Sequence, residues 1–376
     1  MPIYKVSDKK NKEGKLQYRV RVNYIDNNGS YRQLTRLCWG SQEAKELEDT
    51  LTQQVNNKDL CNTSLTVDQL FKQFFDEIKP EVRASTYQGY EKNYRLHIKP
   101  NLANVKIKKL NVNNLKNWKK YVTDKNLSLI TEKNIYATLR AGLNYAVKND
   151  ILPVSPLSKI SNFKDSNYQE KEMQFYTPEE FQLFKTAALA EAKKKNYYDY
   201  YVFFCLAYYT GCRKGEIHAL RWNCIDFKKQ TLSVRKSIDQ KQKGGDVEGP
   251  PKNKSSIRTM QMPQPLISVL QEHKERQQNS IPQWEETGFI CGYYRCLRNT
   301  SVENENDKYA KAAGIKKIRI HDFRHSHASL LINNGINVIG VAKRLGHSTA
   351  KETLKTYAHL FPTEEEKAIS VLNSIN

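Results

Sequence analysis

Seven residues near the C-terminus, HDFRHSH at 321–327, contain three histidines, an aspartate and an arginine. His321 and His325 stand four residues apart, so on a helix they share a face and could together bind one metal ion. Arg324 lies between them, and its charge disfavours a bound cation. A general base beside an anion-binding arginine is a second interpretation, and a helix start that only carries polar residues is a third.

A second stretch with possible chemistry is TGCRKGEIHALRW at residues 210–222. Arg213 follows a turn glycine at the end of an apolar helix, and Glu216 stands one turn further on. A carboxylate that fixes the rotamer of an arginine makes it a good bidentate phosphate holder. Taken alone, the pair also fits an ordinary structural ion pair at this spacing.

Two further stretches supply a lysine, a histidine and a tyrosine. PKNKSSIRTM at 251–260 places Lys254 where a long loop meets a strand, from which it could donate a proton, although most loop lysines are solvated. Lys252 is the other candidate in this stretch. RLGHSTAKETLKTY at 344–357 contains His347 after a glycine turn and Tyr357 on a short helix. The chain has 22 tyrosines, so Tyr357 is a nucleophile candidate only in combination with the other residues.

Six residues carry a shared pattern. In chain order they are Arg213, Lys254, His321, Arg324, His347 and Tyr357. The chain resembles the tyrosine recombinases of the phage integrase family: TGCRKGE resembles the first arginine box, HDFRH the His-x-x-Arg box, and LGH followed by a tyrosine the nucleophile box. The similarity is strongest from about residue 177 to about residue 360. The preceding residues resemble the DNA-binding domains of integrases from conjugative transposons and temperate phages.

The resemblance implies a site-specific DNA recombinase that integrates and excises a mobile element. It would cleave and exchange strands through a 3′-phosphotyrosyl intermediate, with no metal, ATP or cofactor. Two fixed arginines, Arg213 and Arg324, can stabilise charge on the phosphate oxygens. Glu216 would orient this cluster in a supporting role.

The resemblance also assigns the proton transfers. A phenol is a poor nucleophile near neutral pH, so His321 would take the proton of Tyr357 as the bond forms. Lys254 would protonate the leaving 5′ oxygen, and His347 would hydrogen-bond the scissile phosphate. His325 matches the family box but is expected to support helix packing. The remaining members of the stretch, Asp322 and His327, receive no role.

Three rival functions follow from the same residues. A type IB topoisomerase would use similar chemistry to relax DNA, and the active-site boxes do not separate it from a recombinase. A catalytically inactive DNA-binding regulator would keep the basic surface alone. A metal-dependent nuclease built on HDFRHSH lacks nearby acidic or cysteine ligands apart from Asp322.

The composition fits a nucleic-acid partner. The chain contains 61 Lys+Arg against 40 Asp+Glu, a net charge of +21. Such an excess favours a polyanion, because each neutralised phosphate releases counterions, although surface lysines also serve solubility. We expect a cytoplasmic protein, since no secretory signal is evident and the longest apolar run, YVFFCLAYY, is far shorter than the roughly twenty residues of a membrane span. Seven scattered cysteines without a CxxC pair predict reduced thiols.

The pattern of residues along the chain predicts a multidomain, mainly α fold that positions the site. Residues 1–60 predict a small β-sheet-plus-helix domain, in which a strictly alternating strand QYRVRVNYID precedes a second strand. The strands carry the basic residues Arg19, Arg21, Arg32 and Arg36. Such a sheet could lie in a DNA groove, and a solvated face fits the pattern nearly as well. The resemblance implies an arm-type DNA-binding domain.

Residues 64–156 predict an all-α domain that opens with a capping box at 66–69. Its helices carry basic side chains that could contact a phosphate backbone. These are Lys92, Arg95, Lys116 and Lys119. The resemblance implies core-site DNA binding, and a protein-binding helical module is the alternative. Prolines followed by a polar run predict a linker at 157–174.

Residues 175–376 predict the catalytic domain, which is α-rich with a small antiparallel sheet of strands at 227–234 and 258–262. A helix should begin at the capping box TPEE, residues 177–180. The tail PTEEEKAISVLNSI has an apolar helix face, which the resemblance would dock on a neighbouring subunit in a DNA-bound homotetramer. Packing on its own domain is equally open. An excisionase and a host DNA-bending protein are possible further partners.

Overall fold

The computed structural model describes residues 3–10, 14–25, 31–60, 65–165, 172–240, 245–251, 253–358, 369 and 372–374. The chain divides into two compact units, residues 1–169 and 170–376. Helices dominate both units, and the described strands form small antiparallel sheets, which confirms the predicted fold class. Among the described helices, none is long and apolar enough to cross a membrane.

A three-stranded antiparallel sheet begins the first unit. Its strands are β1 (Ile3–Lys10), β2 (Leu16–Ile25) and β3 (Tyr31–Trp39), with β2 in the centre, and helix α1 (Ser41–Leu60) follows. The alternation predicted for β2 is confirmed, because its inward positions Val20 and Val22 are buried. They form a small core with Cys38, Ala44 and Leu51. Helix α1 is therefore the layer that covers one face of the sheet.

The register of β2 and β3 places the basic side chains of the sheet on different faces. Arg36 pairs directly with buried Val20, and directly paired residues share a face. Arg19 and Arg21 occupy the alternate positions of β2 and lie on the outer face. Arg36 therefore lies on a different face of the sheet from Arg19 and Arg21, and its contact with DNA stays a prediction. The side chain of Arg32 lies outside the described residues.

The rest of the first unit is helical. Its helices are α2 (Val67–Ile78), α3 (Ala84–Asn93), α4 (Lys99–Leu102), α5 (Val112–Thr123) and α6 (Leu129–Lys148), with a π-helical turn at Tyr94–Ile98. The predicted capping box is confirmed: the Thr66 hydroxyl accepts from the backbone of Gln69, whose side chain accepts from the backbone of Thr66. These helices pack around a separate aromatic core that includes Phe71, Phe74 and Trp118.

This helical core extends beyond the predicted boundary at residue 156. Leu157, Ile160 and Phe163 are buried in it, and the Tyr136 hydroxyl donates a 2.7 Å hydrogen bond to the carbonyl of Ile160. The first half of the predicted linker is thus packed structure. In the sequence, the three-residue spacing of these apolar side chains indicates burial. The nearby prolines favoured the linker prediction instead.

The basic residues of these helices differ in their availability. Lys92 and Lys116 are exposed, and Arg95 is exposed beside Glu91 at 3.3 Å. Lys119 instead donates to the carbonyl of Ser161 at 2.8 Å. Its ammonium group therefore has backbone acceptors within the fold, so Lys119 is the least available of the four for a phosphate contact, which stays a prediction.

The second unit contains most of the helices. They are α7 (Pro178–Lys195), α8 (Asp199–Thr210), α9 (Lys214–His218), α10 (Gln264–Ser280), α11 (Asn299–Ala312), α12 (Asp322–Asn333), α13 (Val338–Leu345) and α14 (Ala350–Tyr357). The predicted capping box of α7 is present at Thr177 and Glu180.

Five short strands complete the second unit. They are β4 (Ile225–Asp226), β5 (Thr231–Val234), β6 (Ser237–Asp239), β7 (Val247–Gly249) and β8 (Arg258–Gln261). β5 and β8 fall in the two stretches predicted as strands and pair antiparallel, with β4 on the other side of β5. β6 and β7 form a second ribbon, and β7 lies within the stretch predicted as a loop.

Candidate active site

The centre of the second unit positions the first part of the site. Helix α8 is apolar on every side and buried, and α12 packs against it. α8 ends at Gly211, where φ is 63° and an added Cβ would lie 2.7 Å from the His327 ring, so glycine is required. The Gly211 carbonyl accepts a 2.9 Å hydrogen bond from Nη1 of Arg324. The first turn of α12 therefore lies beside the C-terminal end of α8. Arg213 follows Gly211, at that end, by two residues.

Arg213 is held by a carboxylate and a hydroxyl. Its Nη1 donates to Oε1 of Glu216 at 2.8 Å and to Oγ of Ser256 at 3.0 Å. Glu216 is 1% exposed and also accepts a 3.1 Å hydrogen bond from Arg258. Arg258 is anchored in turn by the backbone carbonyls of Ser256 and Arg344. Glu216 thus makes the contact with Arg213 that the spacing predicts, and Arg258 adds a cation that the spacing does not predict.

Positive charge exceeds negative charge in this cluster. Burial raises the pKa of Glu216, but the charges of Arg258 and Arg213 outweigh burial and hold that pKa below its ordinary value. Burial, followed by the charge of Arg213, lowers the pKa of Arg324 to about 10. Nη2 of Arg324 is buried and has no hydrogen-bond partner in the described part of the chain. A buried donor beside unbalanced positive charge is suited to binding an anion.

His347 follows a glycine turn at the end of α13, as predicted. Gly346 has a φ of 70°, and an added Cβ would lie 3.1 Å from Nη1 of Arg258, so the turn packs directly on the arginine cluster. Nδ1 of His347 is 2.7 Å from the hydroxyl of buried Thr353. Burial, followed by the charges of nearby arginines, lowers the pKa of His347 to about 4, so the ring is neutral near neutral pH. When the hydroxyl donates to Nδ1, the ring proton is on Nε2, which can donate to an anion.

Tyr357 ends α14 and is buried in the same unit. It is 1% exposed and packs with Ala328, Ile332 and apolar residues of α13. Burial raises the pKa of its hydroxyl to about 12, although the nearby charge of Arg324 acts in the opposite direction. Its hydroxyl oxygen is 2.7 Å from Nδ1 of His325. The phenol is therefore protonated at rest and lies within the electrostatic field of Arg324.

The contact with Tyr357 changes the reading of HDFRHSH. The resemblance implies His321 as the proton acceptor, and His325 is expected to support helix packing. His321 caps α12 and is exposed, with its ring centroid 5.2 Å from that of His325. His325 lies one turn further along, on the side of α12 that faces α14. This contact joins α12 to α14, so the packing role expected for His325 stays a prediction, and its ring nitrogen also reaches the tyrosine hydroxyl.

The other two polar residues of this stretch hold the structure together. His327 is buried; its Nδ1 is 2.8 Å from the carbonyl of Tyr208, and its Nε2 accepts from Nε of Arg344 at 3.0 Å. Asp322 accepts a bidentate pair of hydrogen bonds from Arg319. His325 and His327 thus bond to different groups, Tyr357 and Tyr208. Among the described residues, no group of His, Cys, Asp and Glu side chains is arranged to hold a metal ion.

The candidate lysines are described only in part. Lys254 begins a short 3₁₀ turn, Lys254–Ser256, which leads into β8. Its side chain, like the whole of Lys252, lies outside the described residues. The turn places the backbone of Lys254 two residues from Ser256, whose hydroxyl contacts Arg213. The choice between the two lysines stays a prediction.

Two residues of the site, Arg258 and Thr353, and one of its contacts were not found from the sequence. The sequence contains a signal that Arg258 faces the interior, because alternation along β8 places it on the same face as buried Met260. Thr353 stands four residues before Tyr357, a spacing that predicts a shared helix face without predicting its contact with His347. The contact between His325 and Tyr357 spans 32 residues and depends on helix packing, which no local spacing encodes.

Comparisons with known proteins identify the family of the chain. The profile of the Phage integrase family matches residues 176–364, and that of the phage integrase N-terminal SAM-like domain matches residues 66–122. The ICEBs1 integrase of Bacillus subtilis (strain 168) is 27% identical over 377 residues, which cover 98% of this chain and 100% of that protein. A XerC-like tyrosine recombinase of Caldanaerobacter subterraneus subsp. tengcongensis is 29% identical, with 97% of each chain covered.

Solved structures show the same fold. A fragment of the Tn1549 transposon integrase in complex with a circular intermediate DNA is similar, with a TM-score of 0.66 at 20% identity over 83% of this chain and 100% of that one. A λ integrase tetramer bound to a Holliday junction gives a TM-score of 0.55 at 16% identity, covering 93% of this chain and 96% of that one. With the matched family profile and the arginine, histidine and tyrosine cluster, these likenesses place the chain in the phage integrase family, as a tyrosine-type site-specific recombinase.

Proposed function

We propose that this recombinase integrates and excises a mobile DNA element through a 3′-phosphotyrosyl link to Tyr357, without metal or ATP. The observation that carries the proposal is the buried Nη2 of Arg324, which lacks a partner among the described residues, on an arginine whose charge acts on the Tyr357 hydroxyl. Relatives named as integrases, including that of the Tn1549 transposon, support a mobile element as the substrate.

The chain's own side chains can supply each part of the chemistry. Arg213 and Arg324 hold the scissile phosphate and stabilise charge on its non-bridging oxygens. His347 donates from Nε2 to the same phosphate. Tyr357 attacks phosphorus, and Lys254 protonates the 5′ oxygen as the bond to it breaks. The phosphotyrosyl bond preserves the energy of the broken bond, so rejoining needs no ATP.

Nicked duplex DNA that carries the core site tests the proposal. After cleavage of such DNA a short strand diffuses away, so the covalent complex should accumulate even in the presence of EDTA. Tyr357→Phe should trap no DNA. Tyr294→Phe, which changes an exposed tyrosine, is the matched control and should trap DNA as well as the wild type does. Cleavage that requires added metal would favour a nuclease. Relaxation of any supercoiled plasmid would favour a topoisomerase, and binding without an adduct would favour a regulator.

Substitution of each lysine should identify the general acid. Lys254→Ala should slow cleavage by about 10²-fold or more, the usual contribution of a general acid. DNA with sulphur in place of the leaving 5′ oxygen should restore the rate of this variant, because a thiolate leaves without protonation. Lys252→Ala should be slowed less and should gain no extra rate from the sulphur substrate. If Lys252→Ala shows the rescue, the acid is Lys252.

We further propose that residues 1–60 bind arm sites and that residues 64–156 bind core sites. The outer face of the N-terminal sheet, marked by Arg19 and Arg21, is the surface that should meet DNA, because α1 covers the other face. Lys92, Arg95 and Lys116 remain candidate contacts in the helical domain. We also propose that an excisionase and a host DNA-bending protein take part.

The register of the sheet predicts different effects for two arginines. Arg19→Ala should weaken binding to arm-site duplex DNA and reduce the slope of log affinity against log salt concentration by roughly one, as the loss of one phosphate contact does. Arg36→Ala is the matched control and should have a smaller effect, since Arg36 lies on the opposite face. Salt titrations of binding measure both. A larger loss for Arg36→Ala would contradict the assigned face.

We propose that the C-terminal tail joins subunits into a DNA-bound tetramer. Ile369 and Leu372, the described apolar residues of the tail, are 52% and 61% exposed. A groove of about 690 Å³ in the second unit presents Ile339, 69% exposed, beside Lys343, and would suit a segment that begins with three glutamates. The λ integrase is a tetramer in its solved structure on a Holliday junction, and this assembly supports the proposal by analogy.

Deletion of residues 364–376 tests the role of the tail. Cleavage of isolated core sites should persist, because Tyr357 is buried by α12 and α13. Synapsis of paired sites, followed by native gel electrophoresis, should be lost, and Ile339→Ser should have the same defect with the tail intact. Unchanged synapsis after the deletion would refute docking in trans and leave packing within one subunit.

A further inference from the structure

The hydroxyl of the nucleophile has a specific partner that the family pattern does not predict. Tyr357 is buried, and its hydroxyl oxygen lies 2.7 Å from Nδ1 of His325. The two rings are inclined at 64° with centroids 5.5 Å apart, so the contact is edge-on through the nitrogen. His321 is exposed, and no hydrogen bond joins it to Tyr357 in the described structure. The geometry thus favours His325 for any direct proton transfer.

The surroundings of His325 determine its tautomer. Burial, followed by the proximity of His321, lowers the pKa of His325 to about 4, so the ring is neutral near neutral pH. Asp322 Oδ1 lies 3.9 Å from its Nε2 and favours the proton on that nitrogen. The tautomer leaves Nδ1 as an acceptor, to which the phenol donates. The charged and titratable groups around the ring are His321, Asp322, Arg319 and Arg324 from α12 and its preceding turn, and Tyr357 from α14.

Asp322 is itself fixed in place. It is 1% exposed, and Arg319 donates to both of its carboxylate oxygens. Tyrosine, histidine and aspartate therefore follow one another in space, with the acceptor nitrogen toward the phenol and the carboxylate on the far side of the ring. A carboxylate in that position stabilises an imidazolium when it forms.

We propose that His325, rather than His321, receives the phenol proton of Tyr357 during DNA cleavage. This inference rests on the phosphotyrosyl chemistry proposed above. The Tyr357 oxygen forms a bond to phosphorus while its proton passes to Nδ1 of His325. The bond between phosphorus and the 5′ oxygen breaks with its electron pair, and that oxygen takes a proton from the general acid. In rejoining, the 5′ hydroxyl attacks and the proton on His325 returns to the tyrosine oxygen.

The proposal distinguishes a proton acceptor from a residue that only holds Tyr357 in place. His325→Gln keeps a hydrogen-bond acceptor of similar reach but cannot become protonated. Single-turnover adduct formation on nicked core-site DNA should fall by about 10²-fold or more in His325→Gln and His325→Ala, the usual contribution of a general base. The wild-type rate should show no histidine titration from about pH 6 to about pH 8, whereas these variants should gain roughly tenfold per pH unit as hydroxide replaces the base.

Chemical rescue completes the test. Added imidazole should accelerate His325→Ala and not His325→Gln, whose side chain still fills the position, and a sulphur leaving group should rescue neither. His321→Ala, even if slowed, should keep the wild-type pH profile and gain nothing from imidazole. Wild-type adduct formation that depends on Tyr357 establishes the underlying chemistry, and its absence would remove the proposed function itself. With the adduct present, near wild-type rates in His325→Gln, or imidazole rescue of His321→Ala instead, would overturn the assignment to His325.

Discussion

Replacing Arg324 with alanine is expected to lower the rate of covalent DNA cleavage by about 10³-fold, the upper range for removing one charge-stabilising donor from a buried site. The side chain is 3% exposed and fixed by the Gly211 carbonyl, so it loses little freedom when phosphate binds. Its Nη2 is a donor already stripped of water. Because of both features, Arg324 should stabilise charge on the phosphate oxygens in the transition state more strongly than a solvated arginine would. Single-turnover kinetics on nicked core-site DNA measure the loss.

Arg324→Lys is the control for charge alone. A lysine has a point charge and no planar fork, so it cannot keep one nitrogen on the Gly211 carbonyl while it offers a second nitrogen to a phosphate oxygen. We expect it to remain at least about 10²-fold below the wild type. The folded unit should persist in Arg324→Ala, since removing the arginine relieves repulsion from Arg213, and in Arg324→Lys, since the charge is unchanged. Activity of Arg324→Lys close to that of the wild type would contradict bidentate binding.

Glu216→Gln is expected to reduce both stability and cleavage. Glu216 is the carboxylate that neutralises Arg213 and Arg258 inside the arginine cluster. Breaking a buried ion pair by removing one partner costs about 3–5 kcal/mol, because the remaining charges stay buried. For a unit of this size the melting temperature should fall by roughly 10 °C. Cleavage should fall as well, because Arg213 loses the group that fixes its orientation.

The stability difference should depend on pH in a defined direction. The pKa of Glu216 is lowered in the fold, so its contribution is fully present above its unfolded value of about 4.3 and is lost as pH falls through the folded value. The gap in melting temperature between wild type and Glu216→Gln should therefore narrow below about pH 4. Glu303→Gln, which removes an exposed partner of Lys214, is the matched control and should change little. A gap that is absent near neutral pH would contradict the role of Glu216.

The local parts of this site could be predicted from the sequence. Capping boxes, the alternation of β2 and the apolar run of α8 each depend on neighbours within a few residues, and the structure contains all three. The proximity of Arg213 and Glu216 follows from helical spacing for the same reason. Spacing also places His321, Arg324 and His325 near the start of one helix.

The contacts that could not be predicted join elements far apart in the chain. His325 meets Tyr357 because α12 and α14 pack around a shared apolar cluster. Arg258 reaches Glu216 because β8 pairs with β5 and leads its first side chain toward α9. The surroundings of two basic residues also depend on distant elements, since Lys119 donates to a carbonyl of a later segment and the face of Arg36 depends on strand register.

The central claim is that Tyr357 becomes covalently joined to DNA. The most direct measurement is mass spectrometry of the complex trapped on nicked core-site DNA in EDTA, after digestion with nuclease and protease. We expect a nucleotide on Tyr357 through a 3′ phosphate, and no adduct in Tyr357→Phe. A nucleotide on another residue, or an adduct that persists in Tyr357→Phe, would contradict it.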